Sequence, residues 1–297
     1  MNLVDINTLF GTEDKCRELL VRLRFPEGPQ CLRCKGPVVK LETEKQLFYC
    51  KDCDYQFTVT SGTVFNDSHL PLTKWFLTTH LLCEAKKGMS ACQVQRTVGM
   101  SYKTAWYLCH RIRSAMIESQ KVMLDGIVEI DETYIGGKAR RGLPRKDKQV
   151  VIGIRKRGGD LRLIRVNQAT SEEIKKVVAE NVSEDVEVIV TDESAIYPWA
   201  FDQNRKKIHK TINHSREYVN GDVHTNTVES AFSLFKRGIM GTWHKISAKH
   251  LPAYLDEMCF RFNNRKNPYL FRDTVLKLIA SSNLEYKNLT AKTRNAA

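Results

Sequence analysis

No stretch of this 297-residue chain approaches the roughly 18 consecutive apolar residues of a membrane-spanning helix, and its start lacks the charged-then-apolar pattern of a secretory leader. It also lacks a basic amphipathic anchor helix, an internal repeat and any low-complexity tract. The missing span and leader argue against a membrane protein and set the expectation of a protein that stays inside the cell. Nor does cysteine form a secretory disulfide pattern. Of nine cysteines, four fall in two tight pairs, and Cys16, Cys83, Cys92, Cys109 and Cys259 are scattered through apolar helical stretches, where they read as small core residues in a reducing compartment. Hydrophobic content of 42% leaves ample material for a core, and the length suggests two domains.

Acidic residues are the minority. The chain carries 47 Lys/Arg against 34 Asp/Glu, a formal net charge of +13. Residues 1–125 hold 17 basic against 13 acidic side chains, whereas residues 126–297 hold 30 against 21, so the excess concentrates in the second part. Without an anchor helix, that balance favours a nucleic acid over a membrane surface. Lys138–Arg157 is especially basic, with nine Lys/Arg and a single acid, Asp147.

The paired cysteines are Cys31-Leu-Arg-Cys34 and Cys50-Lys-Asp-Cys53, two CxxC knuckles with 15 residues between them. Each knuckle puts two thiolates on one turn, and two knuckles complete a tetrahedron, which is the pattern of a four-cysteine zinc ribbon. A closed four-thiolate site is structural, and it would present Arg33, Lys35 and Lys51 to a phosphate backbone. Before it, Thr12–Arg24 reads as a short amphipathic helix capped by Thr12. After it, Pro71 opens a helix reaching about Lys86. Ser90 then caps Ala91–Val98, Gly99-Met100 turns, and Ser101 caps a helix over Tyr102–Ser119. Two short helices around a glycine turn are the helix-turn-helix pattern, which would put Ser101, Tyr102, Lys103 and Thr104 at the start of a recognition helix and Arg111 and Arg113 further along it.

From Gly126 strands and helices alternate. Strands are expected at 127–135, 149–154, 161–166 and 186–192, with a weak candidate at 206–212. Helices are expected at 172–180, 225–237, 248–264 and 268–282, before a polar tail. Asp131 stands inside the first strand, Asp192 ends the fourth, and Glu229 sits on the late helix with Lys236 two turns on, along the same face. Carboxylates embedded in apolar elements are costly unless a cation meets them. Two strand aspartates and a helix glutamate are what a two-metal phosphoryl-transfer site needs, with two Mg²⁺ or Mn²⁺ ions about 4 Å apart. Alternatives stay open at this point. Glu129 or Glu132 competes with Asp131, although strand parity puts Glu129 and Asp131 on one face and Glu132 on the other. Asn226 competes as third ligand, and Asp192 also suits a helix cap.

The runs Glu129-Ile-Asp-Glu-Thr-Tyr-Ile-Gly-Gly-Lys138, Thr191-Asp192 and His224-Thr-Asn-Thr-Val-Glu-Ser-Ala-Phe-Ser-Leu-Phe-Lys-Arg-Gly238 resemble the bacterial insertion-sequence DDE transposases that carry an N-terminal zinc ribbon, the ISXO-like group related to Merlin elements. The likeness covers roughly residues 12–280. It implies an α/β chain with a ribonuclease-H-like catalytic domain, preceded by the ribbon and the helix-turn-helix-like segment. The domains would then be 1–62, 63–124 and 125–285, with a tail over 286–297. It also implies cleavage and joining of double-stranded DNA at element ends, with Asp131, Asp192 and Glu229 as metal ligands and Lys236 as the lysine that follows the third acid. Arg140, Arg141, Arg145 and Lys146 are expected to contact DNA, as are Trp243 and His244. Cutting two ends together implies a dimer or larger assembly. The compartment would be the cytoplasm at the nucleoid, or the nucleus in a eukaryotic host. The rival expectations are a domesticated DNA-binding regulator without catalysis, and a nuclease or integrase of other biology.

Overall fold

The computed structural model describes residues 2–41, 46–118, 122–136, 148–212 and 224–291. The chain divides into two compact units, residues 1–116 with 267–297, and residues 117–266.

The first unit begins with helices α1 (Leu3–Phe10) and α2 (Glu13–Arg24). Asn2 and Asp5 form a capping box on α1, a helix not anticipated from the sequence. Thr12 caps α2, whose first turn is acidic and last turn basic, in keeping with its dipole. Strands β1 (Val38–Lys40), β2 (Phe48–Cys50) and β3 (Gln56–Phe57) then form a small antiparallel sheet, with Phe48 and Phe57 stacked at 5.4 Å. Helix α3 (Leu72–Glu84) buries Trp75 and Phe76. Helices α4 (Ala91–Val98) and α5 (Tyr102–Ala115) follow, each capped by the expected serine. The turn between them depends on Gly99, whose φ of +69° is the left-handed conformation that ends α4. Helix α5 stops at Ala115, short of the expected Ser119.

The second unit is a five-stranded mixed sheet built from β4 (Ile127–Ile135), β5 (Gln149–Lys156), β6 (Leu161–Val166), β7 (Val188–Asp192) and β8 (His209–Ile212), in the order β6-β5-β4-β7-β8. The first three strands pair antiparallel; β7 pairs parallel with both β4 and β8. Only the end of the weak 206–212 candidate is strand, because Gln203–Ile208 is a short helix capped by Asp202. Val128, Ile130, Ile152 and Ile154 face one core with Ile174, Val177 and Val178 of helix α6 (Ser171–Asn181) and Tyr197 of helix α7 (Ile196–Ala200); the helix at Gln203–Ile208 is α8. The other face packs Ile135, Val151 and Leu163 against helices α9 (Asn226–Gly238) and α10 (Leu251–Asn263). A single π-helical turn, Ile239–Trp243, continues α9, and residues 244–250 lead from it to α10.

Helix α9 lies directly on the sheet at Gly153. A Cβ there would stand 2.5 Å from the Phe232 ring and 2.7 Å from a Val228 methyl, so only glycine admits so close a helix. Helices α11 (Leu270–Ala280) and α12 (Tyr286–Thr290) close the chain. Although α11 was expected within the catalytic domain, it packs with α2, α3 and α5 in the first unit. An amphipathic pattern shows that a helix has a partner without saying which.

Candidate active site and zinc ribbon

The two cysteine knuckles converge. The Sγ atoms of Cys31, Cys34, Cys50 and Cys53 all lie within 4.8 Å of one another, and no other cluster of three or more metal-ligating groups is this tight among the described residues. Cys31 and Cys53 are 3.6 Å apart and Cys34 and Cys50 3.4 Å apart. A tetrahedron of thiolates at about 2.3 Å from zinc has edges of about 3.8 Å, so the four sulfurs fit that ion.

Asp131 lies on β4 opposite Gly153, on the face covered by α9. Strands β4 and β7 pair in parallel as far as Glu129 with Val190, and Asp192, at the end of β7, is near enough for its charge to act on Asp131. Glu229 sits in the first turn of α9, and its charge too acts on Asp131. Burial pushes the Asp131 carboxyl up to about 7, and the negative charges of Glu132, Asp192 and Glu229 add to the rise. Asp131 Oδ1 accepts the Glu132 N–H at 2.8 Å, and Asp192 Oδ1 accepts the Ser194 N–H at 3.1 Å. Glu229 Oε1 accepts the Thr225 hydroxyl at 2.8 Å. These oxygens are a hard donor set suited to Mg²⁺ or Mn²⁺. Lys236 is exposed, seven residues along α9.

The competing acids are otherwise engaged. Glu132 points to the opposite face, where it accepts the buried Tyr197 hydroxyl. Its carboxyl is raised by burial, and the Asp192 charge adds to the rise. Glu129 shares the face of Asp131 but is fully buried, with its oxygens bonded to Arg157 and to the start of α9. Asn226 is the first residue of α9 and half-buried. Sequence reasoning placed Thr225 and Thr227 on the late helix and Arg157 in the basic segment but gave none of them, nor Tyr197, a role; Arg157, Thr227 and Tyr197 act through partners distant in the chain, and Thr225 through Glu229 one turn on.

At the start of α5, Ser101 caps the helix through the Thr104 N–H, and Tyr102 and Lys103 are exposed. Lys103 rests over the Tyr286 ring at 4.7 Å. Arg111 corrects the expectation of a DNA contact. It is only 4% exposed, donates to the Val64 and Asn66 carbonyls, and lies over the Trp75 ring at 4.9 Å. Arg113 is buried too. Both point into the unit because α5 packs there with its polar stems as well as its apolar face. Trp243, also expected at DNA, packs between Phe235 and Tyr254. His244 is exposed with φ +58°. Arg140, Arg141, Arg145 and Lys146 lie outside the described residues.

Residues 123–263 match the ISXO2-like transposase domain, and residues 11–56 match the transposase zinc-ribbon domain. An "uncharacterized protein in transposable element ISH50" of Halobacterium salinarum is 31% identical over 267 residues, covering 83% of this chain and 89% of the relative. The chain belongs to the ISXO2-like transposase family. Both unit folds agree with that membership: a mixed α/β sheet of ribonuclease-H-like type in this transposase, and a zinc ribbon before it. The solved Mos1 strand transfer complex covers 69% of this chain and 75% of its own, at 11% identity and a TM-score of 0.30, a likeness too loose to bear on the site. Among the described residues of the transposase, no helix is long and apolar enough to cross a membrane.

Proposed function

We propose that this transposase cleaves and joins DNA strands at the ends of an insertion sequence in a reaction that depends on Mg²⁺ or Mn²⁺. Asp131, Asp192 and Glu229 would hold the ions. The observation that carries this reading is the placement of half-buried Asp131 on β4, next to the strand that ends at Asp192 and under the helix that carries Glu229. Such a cluster is stable as carboxylates only with cations in it. Bound there, divalent ions supply charge neutralisation and an activated oxygen nucleophile.

The chain's own groups prepare the site. Thr225 orients the Glu229 carboxylate, and Tyr197 holds Glu132 on the far face of the sheet. Lys236, on the helix of Glu229, serves as a point charge for a phosphate. In the first chemical step water displaces a 3′ oxygen at the element end; in the second, that freed 3′-OH attacks a target phosphodiester and releases a target oxygen. The start of α5 at Ser101, Tyr102 and Lys103 would lie against the duplex, aided by the basic excess, and the four cysteines would hold a structural Zn²⁺. Acting on two ends at once calls for a dimer or larger assembly on DNA. We also propose a working division into ribbon (1–62), helical DNA-binding segment (63–124) and a catalytic domain that starts at 125 and ends near 266, where the chain returns to the first unit.

Nicking of a labelled duplex, made from the inverted repeat flanking the gene, tests the ligand set. Asp131→Asn, Asp192→Asn and Glu229→Gln are each expected to lose at least about a hundredfold in rate while binding the duplex normally. Full activity in any one of them removes that residue from the set. Tight binding with no nicking by the wild type at any Mg²⁺ or Mn²⁺ concentration would favour the non-catalytic regulator.

A further inference from the structure

Helix α9 opens without the local cap its sequence offers. Thr225 holds the N-cap position, where a threonine ordinarily accepts an amide from the first turn, but its side chain makes no such bond. Its hydroxyl donates instead to Glu229. The amides that a local cap would take, those of Thr227 and Val228, both donate to Glu129 Oε2, at 3.0 and 3.1 Å. The Thr227 hydroxyl adds a third bond to the same oxygen at 2.6 Å. The other oxygen, Oε1, accepts from Arg157 Nε and its terminal nitrogen at 3.1 and 3.0 Å, and His224 Nδ1 lies 3.4 Å away. Arg157 also donates to the His224 carbonyl at 3.2 Å, just before the helix.

We infer that Glu129 is a positioning residue of the active site: it caps α9 from across the fold and so fixes Glu229 relative to the strand that carries Asp131. The inference rests on the reading of Glu229 as a metal ligand. Glu129 stands 98 residues before Thr227 in the chain but only two before Asp131, on the same face of β4. One buried carboxylate therefore ties the first turn of α9 to the strand of the first aspartate. Its negative charge complements the positive end of the helix, and Arg157 balances the charge on the other side. A fully satisfied buried network of this kind holds one geometry. The arrangement also releases Thr225 from capping, so that its hydroxyl can aim Glu229. An ordinary core ion pair would stabilise the fold without any effect at the metal site, and that difference is measurable.

The test compares Glu129→Gln, Thr225→Val and Glu229→Gln in the full-length protein. Three readouts are taken: hydrogen exchange of the peptide covering the start of α9, binding of Mn²⁺ alone by electron paramagnetic resonance, and nicking of the labelled end duplex. Glu129→Gln keeps the shape and loses the charge. It is expected to speed exchange in the first turn at least about tenfold and to weaken Mn²⁺ binding by about 10–100-fold, with duplex binding intact. Thr225→Val is expected to weaken Mn²⁺ about tenfold while exchange stays at the wild-type rate. If both variants match the wild type in Mn²⁺ binding and nicking while Glu229→Gln loses both, the cap is merely structural and the inference is overturned. If Glu229→Gln itself keeps both, the ligand assignment has failed instead. Should Glu129→Gln not fold, Thr227→Val removes only the hydroxyl bond to Glu129. Wild-type Mn²⁺ binding in Thr227→Val and Thr225→Val together would equally overturn the inference.

Discussion

Asp131 follows Ile130, which is wholly buried, and its carboxyl ionises near 7 in place of the usual 3.8, chiefly through burial and then through Glu132, Asp192 and Glu229. Between those two values the folded chain holds a proton that the unfolded chain has shed. Stability of the metal-free protein therefore falls as pH rises from about 4 to about 7, and stays lower above that. Asp131→Asn removes the penalty. In metal-free protein near pH 8 the variant is expected to melt higher than wild type by roughly 4 °C or more, and near pH 4 no higher. Thermal melts at the two pH values check this, and a lower melting point for the variant near pH 8 would contradict it. On the far face, Tyr197→Phe leaves the partly buried Glu132 without its hydroxyl donor. The expected cost is about 1–3 kcal/mol, read from urea unfolding; an unchanged midpoint would mean that Glu132 finds water in its place.

At the scale of elements, the site depends on how closely α9 approaches the sheet. Gly153, opposite Asp131, leaves the space that Phe232 and Val228 fill. Gly153→Ala puts a methyl into that space, so α9 must lift. The variant is expected to lose about 1–3 kcal/mol of stability and to nick the end duplex more slowly, with both measured on the same preparation. Unchanged stability would show that α9 shifts freely. The strands β4 and β6 were legible in the sequence to the residue, because alternating β-branched side chains bounded by turn residues mark them. Helix α9 was legible from its apolar face, and the serine caps marked α4 and α5. What could not be read were choices made by distant partners. The pattern along α5 is the same whether Arg111 faces a phosphate or the Val64 carbonyl, and only packing decides. Glu129 was visible as a strand carboxylate on the face of Asp131, but nothing local shows that its partners lie at Arg157 and Thr227. Helix α1 is short, and its capping box begins at the second residue, where few neighbours define a period.

For the molecule as a whole, the basic excess and the zinc ribbon bear on how DNA is held. Affinity for the end duplex is expected to fall steeply with salt, because charge neutralisation releases counterions. Zinc removal by a chelator, or Cys50→Ser, is expected to unfold the ribbon and weaken end binding, since the ion is what ties the two knuckles together and the stacked Phe48 and Phe57 make only a small core. Proteolysis of the chelated protein would then cut first within the ribbon, and simultaneous loss of the five-stranded sheet would contradict that order. The central claim is that Asp131, Asp192 and Glu229 form one metal-dependent strand-transfer site. Its most direct test is an in vitro strand-transfer reaction with the end duplex, supercoiled plasmid and Mg²⁺ or Mn²⁺, comparing wild type with Asp192→Asn. Joined product is expected from the wild type alone, and none when the divalent ion is chelated. Equal product from both proteins would contradict it and send the search to other carboxylates.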